Sequence, residues 1–429
     1  MDWPAWLAFA CLHAVFFYLD IVPSPRIPLG DEVMYRTLAE SAAQGAPAVL
    51  EPLWPPLYVW MLTPLARFGE GWPHLLALVQ VVLLAVAALL FRRVLEEVTG
   101  SPRAARVGFV LMLIDPHLAG FAHYAWPEVP HVALLVLLLW LVVRRPGRHA
   151  WWLASGVTIA AIGLTKSVLV PYLPLLALPL AHEIGWRSAM PRAGGVAVLA
   201  GLLMLPTALG NHRTHGAFVV ADSSLFNAWL GLTADGRRSA AHDHAAAAMQ
   251  VYHSGGDTFA ARQRVLAARL AAFVRERGVS AIIRRQWPRQ YFRLFDYRTF
   301  VTEQLAGGVF NVRRVGYVRP PAGLSRLLQA WNVVFYAAVL GAAGVGMWTA
   351  SHARPWVLFL VGTLGYALVI FLVLESRSRF RIPLMLPLWT AAAIVFARHP
   401  LTRQPVRWAA GLGTSAVLTA FAFGADYLP

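Results

Sequence analysis

Two adjacent carboxylates, Asp31 and Glu32, follow the first apolar stretch of this 429-residue chain. A carboxylate at such a point can accept the proton of a hydroxyl group as its oxygen attacks a carbon centre, such as the anomeric carbon of a sugar. A local alternative is that Asp31, which follows Gly30, caps the helix predicted over residues 32–43. The two interpretations do not exclude each other, and we predict Asp31 and Glu32 as catalytic residues.

A further acid, Glu128, begins another apolar stretch, with His131 one helical turn later. Ionisable side chains at membrane depth are costly and indicate function by default, so Glu128 is predicted to be catalytic and His131 to line its cavity. Asp115, just before a helix-breaking proline, could face the same cavity. The alternative for Glu128 is a solvated position at the membrane interface.

The spacing of Glu128 and His131 is also that of two metal ligands, because residues i and i+3 share a helix face. A divalent cation, if the protein uses one, would be held by Asp31, Glu128 and His131. A di-iron bundle needs the Glu-x-x-His motif twice, and this sequence contains it once. No cofactor is assigned beyond this conditional metal.

Four cations are predicted to bind phosphate: Lys166, Arg377, Arg379 and Arg381. The three arginines alternate immediately before an Ile-Pro pair, and guanidinium groups suit bidentate binding of phosphate or pyrophosphate. The alternatives are a lysine that extends to the membrane interface and a merely interfacial arginine cluster. Glu375 is the one acid close to these cations in the sequence, and it could pair with only one of them. We therefore expect the cations to bind an anion.

Composition identifies the elements that must position these residues. Hydrophobic residues make up 58% of the chain, charged residues 14%, and the mean hydropathy is +0.56. A soluble domain carries about 25% charged residues, so a water-exposed globule is excluded. We predict an all-α polytopic membrane protein with about eleven spans of roughly 20 residues each. The predicted spans are 4–22, 73–91, 104–122, 127–143, 151–167, 168–184, 194–210, 327–349, 355–374, 381–397 and 408–425.

The charge pattern orients these spans. The chain has 37 Lys and Arg residues against 21 Asp and Glu residues, and arginines cluster in every second loop. The positive-inside rule then places the N-terminus in the cytoplasm and the C-terminus outside. Anionic membrane lipids explain the basic balance better than nucleic acid, which is not predicted as a partner.

Three regions follow from this topology. Residues 1–210 form an N-terminal transmembrane module of about seven helices, with a catalytic outer loop over 23–72. Residues 211–326 form a helical extracytoplasmic region, including an amphipathic helix over 258–277. Residues 327–429 form a C-terminal transmembrane module of about four helices.

The order of the motifs resembles that of GT-C-fold integral membrane glycosyltransferases. It is similar to bacterial relatives of protein O-mannosyltransferases and of the lipid A aminoarabinose transferase. The matching motifs, in chain order, are Asp31-Glu32, Pro55-Pro56-Leu57-Tyr58, Trp126-Pro127-Glu128, Gly163-Leu164-Thr165-Lys166, Asn211-His212-Arg213, Asn227-Ala228-Trp229 and Arg379-Phe380-Arg381. The Asn211-His212-Arg213 segment departs from the family's usual Arg-Asn order.

The resemblance implies an outer-face cavity that takes a sugar from a polyprenyl-phosphate carrier. Asp31 then matches the catalytic base and Glu128 the second acid, whereas Lys166, Arg379 and Arg381 match residues around the carrier phosphate. Tyr58, Arg213 and Asn227 are expected to line the cavity.

The expected enzyme is an inverting transferase in the bacterial plasma membrane, acting on an unidentified lipid, glycan or protein acceptor of the envelope. The alternatives are a polymerase or ligase that uses a pyrophosphate-linked carrier, and a lipid-linked glycan flippase or transporter. A transporter predicts broken helices at corresponding positions of two halves.

The topology generates the first testable prediction. Reporter fusions after residue 150 and after residue 250 should lie on opposite sides of the membrane, because the arginine-rich loops alternate in sidedness. Paired alkaline phosphatase and fluorescent-protein fusions measure this. The same side for both positions would contradict the topology.

Overall fold

The computed structural model describes residues 2–23, 26–46, 50–144, 149–233, 241–349, 354–397 and 404–424. Within these ranges the chain is helical, with one isolated antiparallel bridge between Ile27 and Gly316. The all-α class expected from composition is confirmed.

The helices follow one another with short connections. The first ten are α1 (Trp3–Ile21), α2 (Asp31–Ala43), α3 (Leu57–Ala66), α4 (Trp72–Thr99), α5 (Pro102–Leu113), α6 (Pro116–Phe121), α7 (Glu128–Val143), α8 (His149–Thr165), α9 (Ala177–Ile184) and α10 (Trp186–His215). The middle region contains α11 (Ser224–Thr233), α12 (Ala241–His253), α13 (Phe259–Arg277), α14 (Val279–Phe295) and α15 (Val309–Val312). The last four are α16 (Ala322–Thr349), α17 (Arg354–Ile370), α18 (Met385–Phe396) and α19 (Pro405–Phe423). Short 3-10 helices cover Gly69–Gly71, Ser167–Leu176, Thr302–Gln304 and Ser378–Leu384.

Six helical segments in the described ranges are long and apolar enough to cross a membrane. They are Trp3–Ile21, Gly69–Thr99, Trp186–His215, Ala322–Thr349, Ser378–Phe396 and Pro405–Phe423. Shorter apolar helices cover Leu57–Ala66, Glu128–Val143, Ala150–Thr165 and Val361–Ile370. The protein is therefore a multi-pass membrane protein, but the predicted number of eleven spans is not confirmed.

Proline explains two of the differences from the predicted spans. The segment predicted as a span over 104–122 is split, because α5 ends at Leu113 and α6 begins at Pro116. The segment predicted over 168–184 is a 3-10 helix followed by the short α9. Its Pro171 lacks the backbone N–H that an α-helix needs there.

Close helix packing fixes the membrane-embedded core. Helix α16 packs against α18 and α19, α4 packs against α5 and α7, and α8 packs against α10. Gly346 of α16 lies so close to α18 that an added Cβ would come within 2.1 Å of the Ala391 carbonyl oxygen. Small residues of this kind let helix backbones approach each other in membranes.

A second, smaller hydrophobic cluster joins residues near Leu53 to helices α11, α12 and α13. Arg262 of α13 donates a hydrogen bond to Glu51 at 2.7 Å beside this cluster. Helix α13 is the amphipathic helix predicted from sequence, with Phe259 and Leu266 buried and Thr258 as its N-cap. The segment between α2 and α3 thus packs against the middle region of the chain.

Candidate active site

An open cleft of about 890 Å³ lies where the start of α7, the end of α14, the segment 296–310 and the segment before α18 meet. Its walls combine aromatic rings with residues of both charges. The lining residues are Trp126, Arg293, Asp296, Arg298, Phe300, Glu303, Val309, Phe310, Glu375, Ser376, Arg377, Ser378 and Arg379. This mixture of aromatic rings with a few charged side chains is typical of a ligand site.

Three acid–base pairs gather at one end of the cleft. Arg379 Nη1 donates to Asp31 Oδ2 at 2.7 Å, and Lys166 Nζ donates to Glu128 Oε1 at 2.9 Å. Arg377 Nη2 lies 2.7 Å from Glu375 Oε1. The structure thus brings five of the predicted site residues close together, namely Asp31, Glu128, Lys166, Arg377 and Arg379.

These pairs correct the expectation that the cations lack acidic partners. Asp31 and Arg379 are 348 positions apart in the chain, and Glu128 and Lys166 are 38 apart. Sequence proximity therefore could not reveal either pair. In the ligand-free protein each of Lys166, Arg377 and Arg379 already has a carboxylate partner.

Asp31 begins helix α2 but does not cap it. The N-cap is Gly30, and Asp31 instead turns its carboxylate to Arg379 while its side chain remains 37% exposed. The capping alternative is therefore wrong. Gly30 has φ +64°, and an added Cβ would lie 3.2 Å from Trp126 Cζ2. Glycine is required here by both the backbone conformation and the nearby indole ring.

The electrostatic environment keeps Asp31 ionised. Burial by itself would raise the pKa of the Asp31 carboxyl, but the charges of Arg379, Arg377 and Lys166 outweigh it and hold that pKa below its usual value. The pairing therefore contributes stability above the ordinary pKa of an aspartate and loses it only as the pH falls through the lowered value.

Aromatic rings fix the guanidinium group of Arg379. It lies 4.4 Å from the ring centroid of Trp126 and 5.0 Å from that of Phe380, within the range of cation–π attraction. The Nε of Arg379 and the Nε1 of Trp126 are buried and have no hydrogen-bond partner among the described residues. Two donors in the cleft wall thus have no partner within the described residues.

Glu128 is buried rather than solvated at the interface, since it is 3% exposed. Its second carboxylate oxygen has no hydrogen-bond partner in the described part of the chain, and neither ring nitrogen of the buried His131 has one. Lys166 also lies 5.0 Å from the ring of Phe380. No group of three or more metal-ligating side chains that could hold an ion occurs among the described residues. The conditional metal set of Asp31, Glu128 and His131 is therefore not assembled.

The carboxylate of Glu32 is buried and is held by other groups of the protein. Arg26 donates to both of its carboxylate oxygens at 2.7 Å, and the backbone N–H of Ala125 donates to one of them at 3.1 Å. Arg26 also pairs with Asp20 at 3.2 Å. These contacts occupy Glu32 fully and tie the start of α2 to the residue before Trp126, so the prediction of a catalytic Glu32 is not supported.

Arg381 belongs to the fold rather than to the cleft. It is fully buried, and its Nη1 donates to the backbone carbonyl oxygens of Phe295 and Asp296 at the end of α14. The reason is local geometry. In the 3-10 helix over Ser378–Leu384 each residue rotates by about 120°, so Arg379 and Arg381 point in different directions.

Asp115 and Tyr58 are likewise structural. Asp115 caps α6 by accepting hydrogen bonds from the backbone of His117 and Leu118 at 2.9 and 2.8 Å, and it accepts another from Tyr336 at 3.0 Å. Tyr58 is fully buried, with its ring 5.1 Å from that of Tyr35. The expectation that Asp115 and Tyr58 line the cavity is wrong.

Arg213 and Asn227, also expected to line the cavity, lie in different places. Arg213 is exposed in the last turn of α10 and does not line the cleft. Asn227 contributes indirectly, because its backbone oxygen accepts a hydrogen bond from the backbone N–H of Glu375 at 2.8 Å. Sequence reasoning missed the aromatic wall of Phe300 and Phe310, which carries no motif, and the role of Arg26 as the partner of Glu32.

We predict that Glu32→Gln destabilises the protein by about 3 kcal/mol, because breaking a buried ion pair leaves Arg26 without its bidentate partner. Unfolding of purified protein in mixed micelles with SDS measures this. The control is Glu96→Gln in the exposed Arg93–Glu96 pair, for which we expect a loss of about 0–1 kcal/mol. Equal stability of Glu32→Gln and wild type, with turnover abolished, would instead make Glu32 catalytic.

Comparison with known proteins gives matches at the level of structure. No protein-family model matches the sequence, and no curated protein matches it. The chain is similar to the oligosaccharyltransferase AglB of Archaeoglobus fulgidus, solved with an inhibitory peptide and a dolichol-phosphate, at 14% identity and a TM-score of 0.49 over 99% of this chain and 55% of that one. It is also similar to ArnT of Cupriavidus metallidurans bound to undecaprenyl phosphate, at 15% identity and a TM-score of 0.41 over 91% of this chain and 77% of that one. The chain thus spans about half the length of AglB. Both neighbours are GT-C-fold membrane glycosyltransferases, the group that the sequence motifs resemble.

Proposed function

We propose that the protein is an inverting glycosyltransferase that moves a sugar from a polyprenyl-phosphate carrier to a hydroxyl group of an envelope acceptor. The observation that carries this proposal is the pairing of Asp31 with Arg379 at 2.7 Å at the edge of an open cleft. A candidate base and a candidate phosphate ligand thus lie within hydrogen-bond distance of each other. We infer that the cleft faces the outer side of a bacterial plasma membrane, which the arginine distribution supports.

The proposed reaction is a single displacement. Asp31 takes the proton of the acceptor hydroxyl, and the acceptor oxygen forms a bond to the anomeric carbon of the sugar. The bond from that carbon to the phosphate oxygen breaks, and the carrier phosphate leaves with the electron pair. Arg379 compensates the charge that develops on it by direct contact, as a preorganised cation does, while Arg377 and Lys166 keep their carboxylate partners beside it.

The lipid part of the carrier has a matching surface. An apolar groove lies between α7, α17, α18 and the 3-10 helix over Ser167–Leu176. It reaches Pro383, four residues beyond Arg379. Its lining residues are Leu135, Leu138, Leu139, Tyr172, Leu173, Leu176, Phe359, Thr363, Pro383, Leu386 and Pro387. An isoprenoid chain in this groove would leave its phosphate near the arginine segment.

We predict that Asp31→Asn lowers turnover by about 10²–10⁴-fold, because Asn cannot accept the hydroxyl proton and a general base typically contributes that factor. Release of free polyprenyl phosphate from lipid extract of the source strain, followed by mass spectrometry, measures turnover without knowledge of the sugar. The variant should remain folded, since the side chain does not cap α2.

The matched control is Glu51→Gln, which removes a carboxylate from another arginine pair, Glu51–Arg262, at 2.7 Å. It should turn over at the wild-type rate. Near-wild-type turnover by Asp31→Asn would show that Asp31 is not the base. An equally large loss of turnover in Glu51→Gln would show that removing any arginine-paired carboxylate lowers turnover, and would also contradict a specific role for Asp31.

A further inference from the structure

The three acid–base pairs at the cleft differ in how easily the carboxylate can leave. The side chain of Glu128 is 2% exposed and that of Glu375 is 9% exposed, whereas that of Asp31 is 37% exposed. Separating a buried carboxylate from its cation leaves an uncompensated buried charge, which is strongly unfavourable. Asp31 can instead turn to water. Of the three pairs, Asp31–Arg379 is therefore the one that can open.

Arg379 cannot follow Asp31 when the pair opens. Its guanidinium group is held against Trp126 at 4.4 Å and Phe380 at 5.0 Å. A guanidinium offers five N–H donors, and Asp31 takes one of them, at Nη1. The buried Nε has no partner within the described ranges. Arg379 is thus a cation held in place by aromatic rings, with donors that Asp31 does not use. Its charge is neutralised by a partly exposed carboxylate.

We propose that the carrier phosphate replaces Asp31 on Arg379, so that donor binding is the event that frees the catalytic base. The inference rests on the proposed function, because it concerns the phosphate of that donor. Phosphate oxygens are strong acceptors for the fork of a guanidinium, and they would take Nη1, to which Asp31 is bonded, together with the adjacent Nη2. No covalent bond changes in this step. One anion leaves Arg379 and another takes its place.

Two consequences follow for the substrate. The donor must bind before the acceptor can be deprotonated, so the reaction is ordered. The Lys166–Glu128 and Arg377–Glu375 pairs stay closed, so the exchange makes one cation available. One available cation matches the single negative charge of a phosphodiester, and this favours a monophosphate carrier over a pyrophosphate carrier.

The charges around Asp31 support the exchange. Its carboxylate faces Arg379 and Arg377 from the segment before α18 and Lys166 from the end of α8, and Tyr35 lies on its own helix. Glu128 and, more weakly, Glu375 are the other acids that act on Arg379. When phosphate neutralises Arg379, the largest attraction that holds the pKa of Asp31 low disappears, and that pKa rises toward the range of a better base.

The decisive experiment is a double-mutant cycle on carrier binding. The dissociation constant of undecaprenyl phosphate is measured for purified wild type, Asp31→Asn, Arg379→Gln and the double variant in lipid nanodiscs. Removing the competing carboxylate should tighten binding about tenfold, equivalent to about 1.4 kcal/mol, when Arg379 is present. In the Arg379→Gln background the same substitution should leave binding unchanged. Glu51→Gln, in the distant Glu51–Arg262 pair, should leave it unchanged as well.

The outcomes separate this inference from the proposed function. If wild type binds the carrier but Asp31→Asn binds it equally or more weakly, the exchange is wrong and the transferase proposal stands. If Asp31→Asn tightens binding equally without Arg379, the effect is only long-range charge and the exchange is again wrong. If wild type does not bind undecaprenyl phosphate, both fail. Inorganic phosphate that binds as tightly as the lipid would identify a free-phosphate site and overturn the carrier assignment.

The pH dependence of turnover gives a second readout. The acidic limb of kcat/KM for the donor reports Asp31 in the free enzyme, and that of kcat reports it in the donor complex. Exchange predicts that the limb of kcat lies at higher pH. Coincident limbs would contradict it.

Discussion

The ion pair between Asp31 and Arg379 is the contact on which the rest of the site depends. It joins the start of α2 to the segment before α18 across 348 positions of the chain, with 2.7 Å between Nη1 and Oδ2. Both charges are partly removed from water, so each would be costly without the other or without a replacement. The Asp31–Arg379 pair is neutral as it stands, and an incoming anion can open it.

The placement of Asp31 depends on a second, more deeply buried pair. Glu32 is held by Arg26 and by the backbone N–H of Ala125, and Ala125 precedes the indole that supports Arg379. The two adjacent carboxylates, Asp31 and Glu32, thus have different roles. Glu32 anchors helix α2 to the start of α7, and Asp31, one residue earlier, projects toward the cleft. Gly30 makes this possible, because any side chain there would meet Trp126.

Much of the fold and part of the site could be predicted from the sequence. Hydropathy gave the helical membrane class, and charged residues beside apolar stretches identified Asp31, Glu128, Lys166 and Arg379. Which cation pairs with which acid could not be predicted, because the partners come from distant segments. The separation of Arg379 from Arg381 was also inaccessible, since it depends on a 3-10 turn that no pattern in this segment indicates.

The central claim is that Arg379 holds the carrier phosphate and Asp31 is the base beside it. The most direct measurement is an electron cryo-microscopy structure of the wild-type protein with undecaprenyl phosphate in nanodiscs. We expect phosphate density against the Nη1 and Nη2 of Arg379, the lipid chain in the groove at Pro383, and Asp31 turned away from the guanidinium group. Bound lipid phosphate at another place, with the Asp31–Arg379 pair intact, would contradict the account.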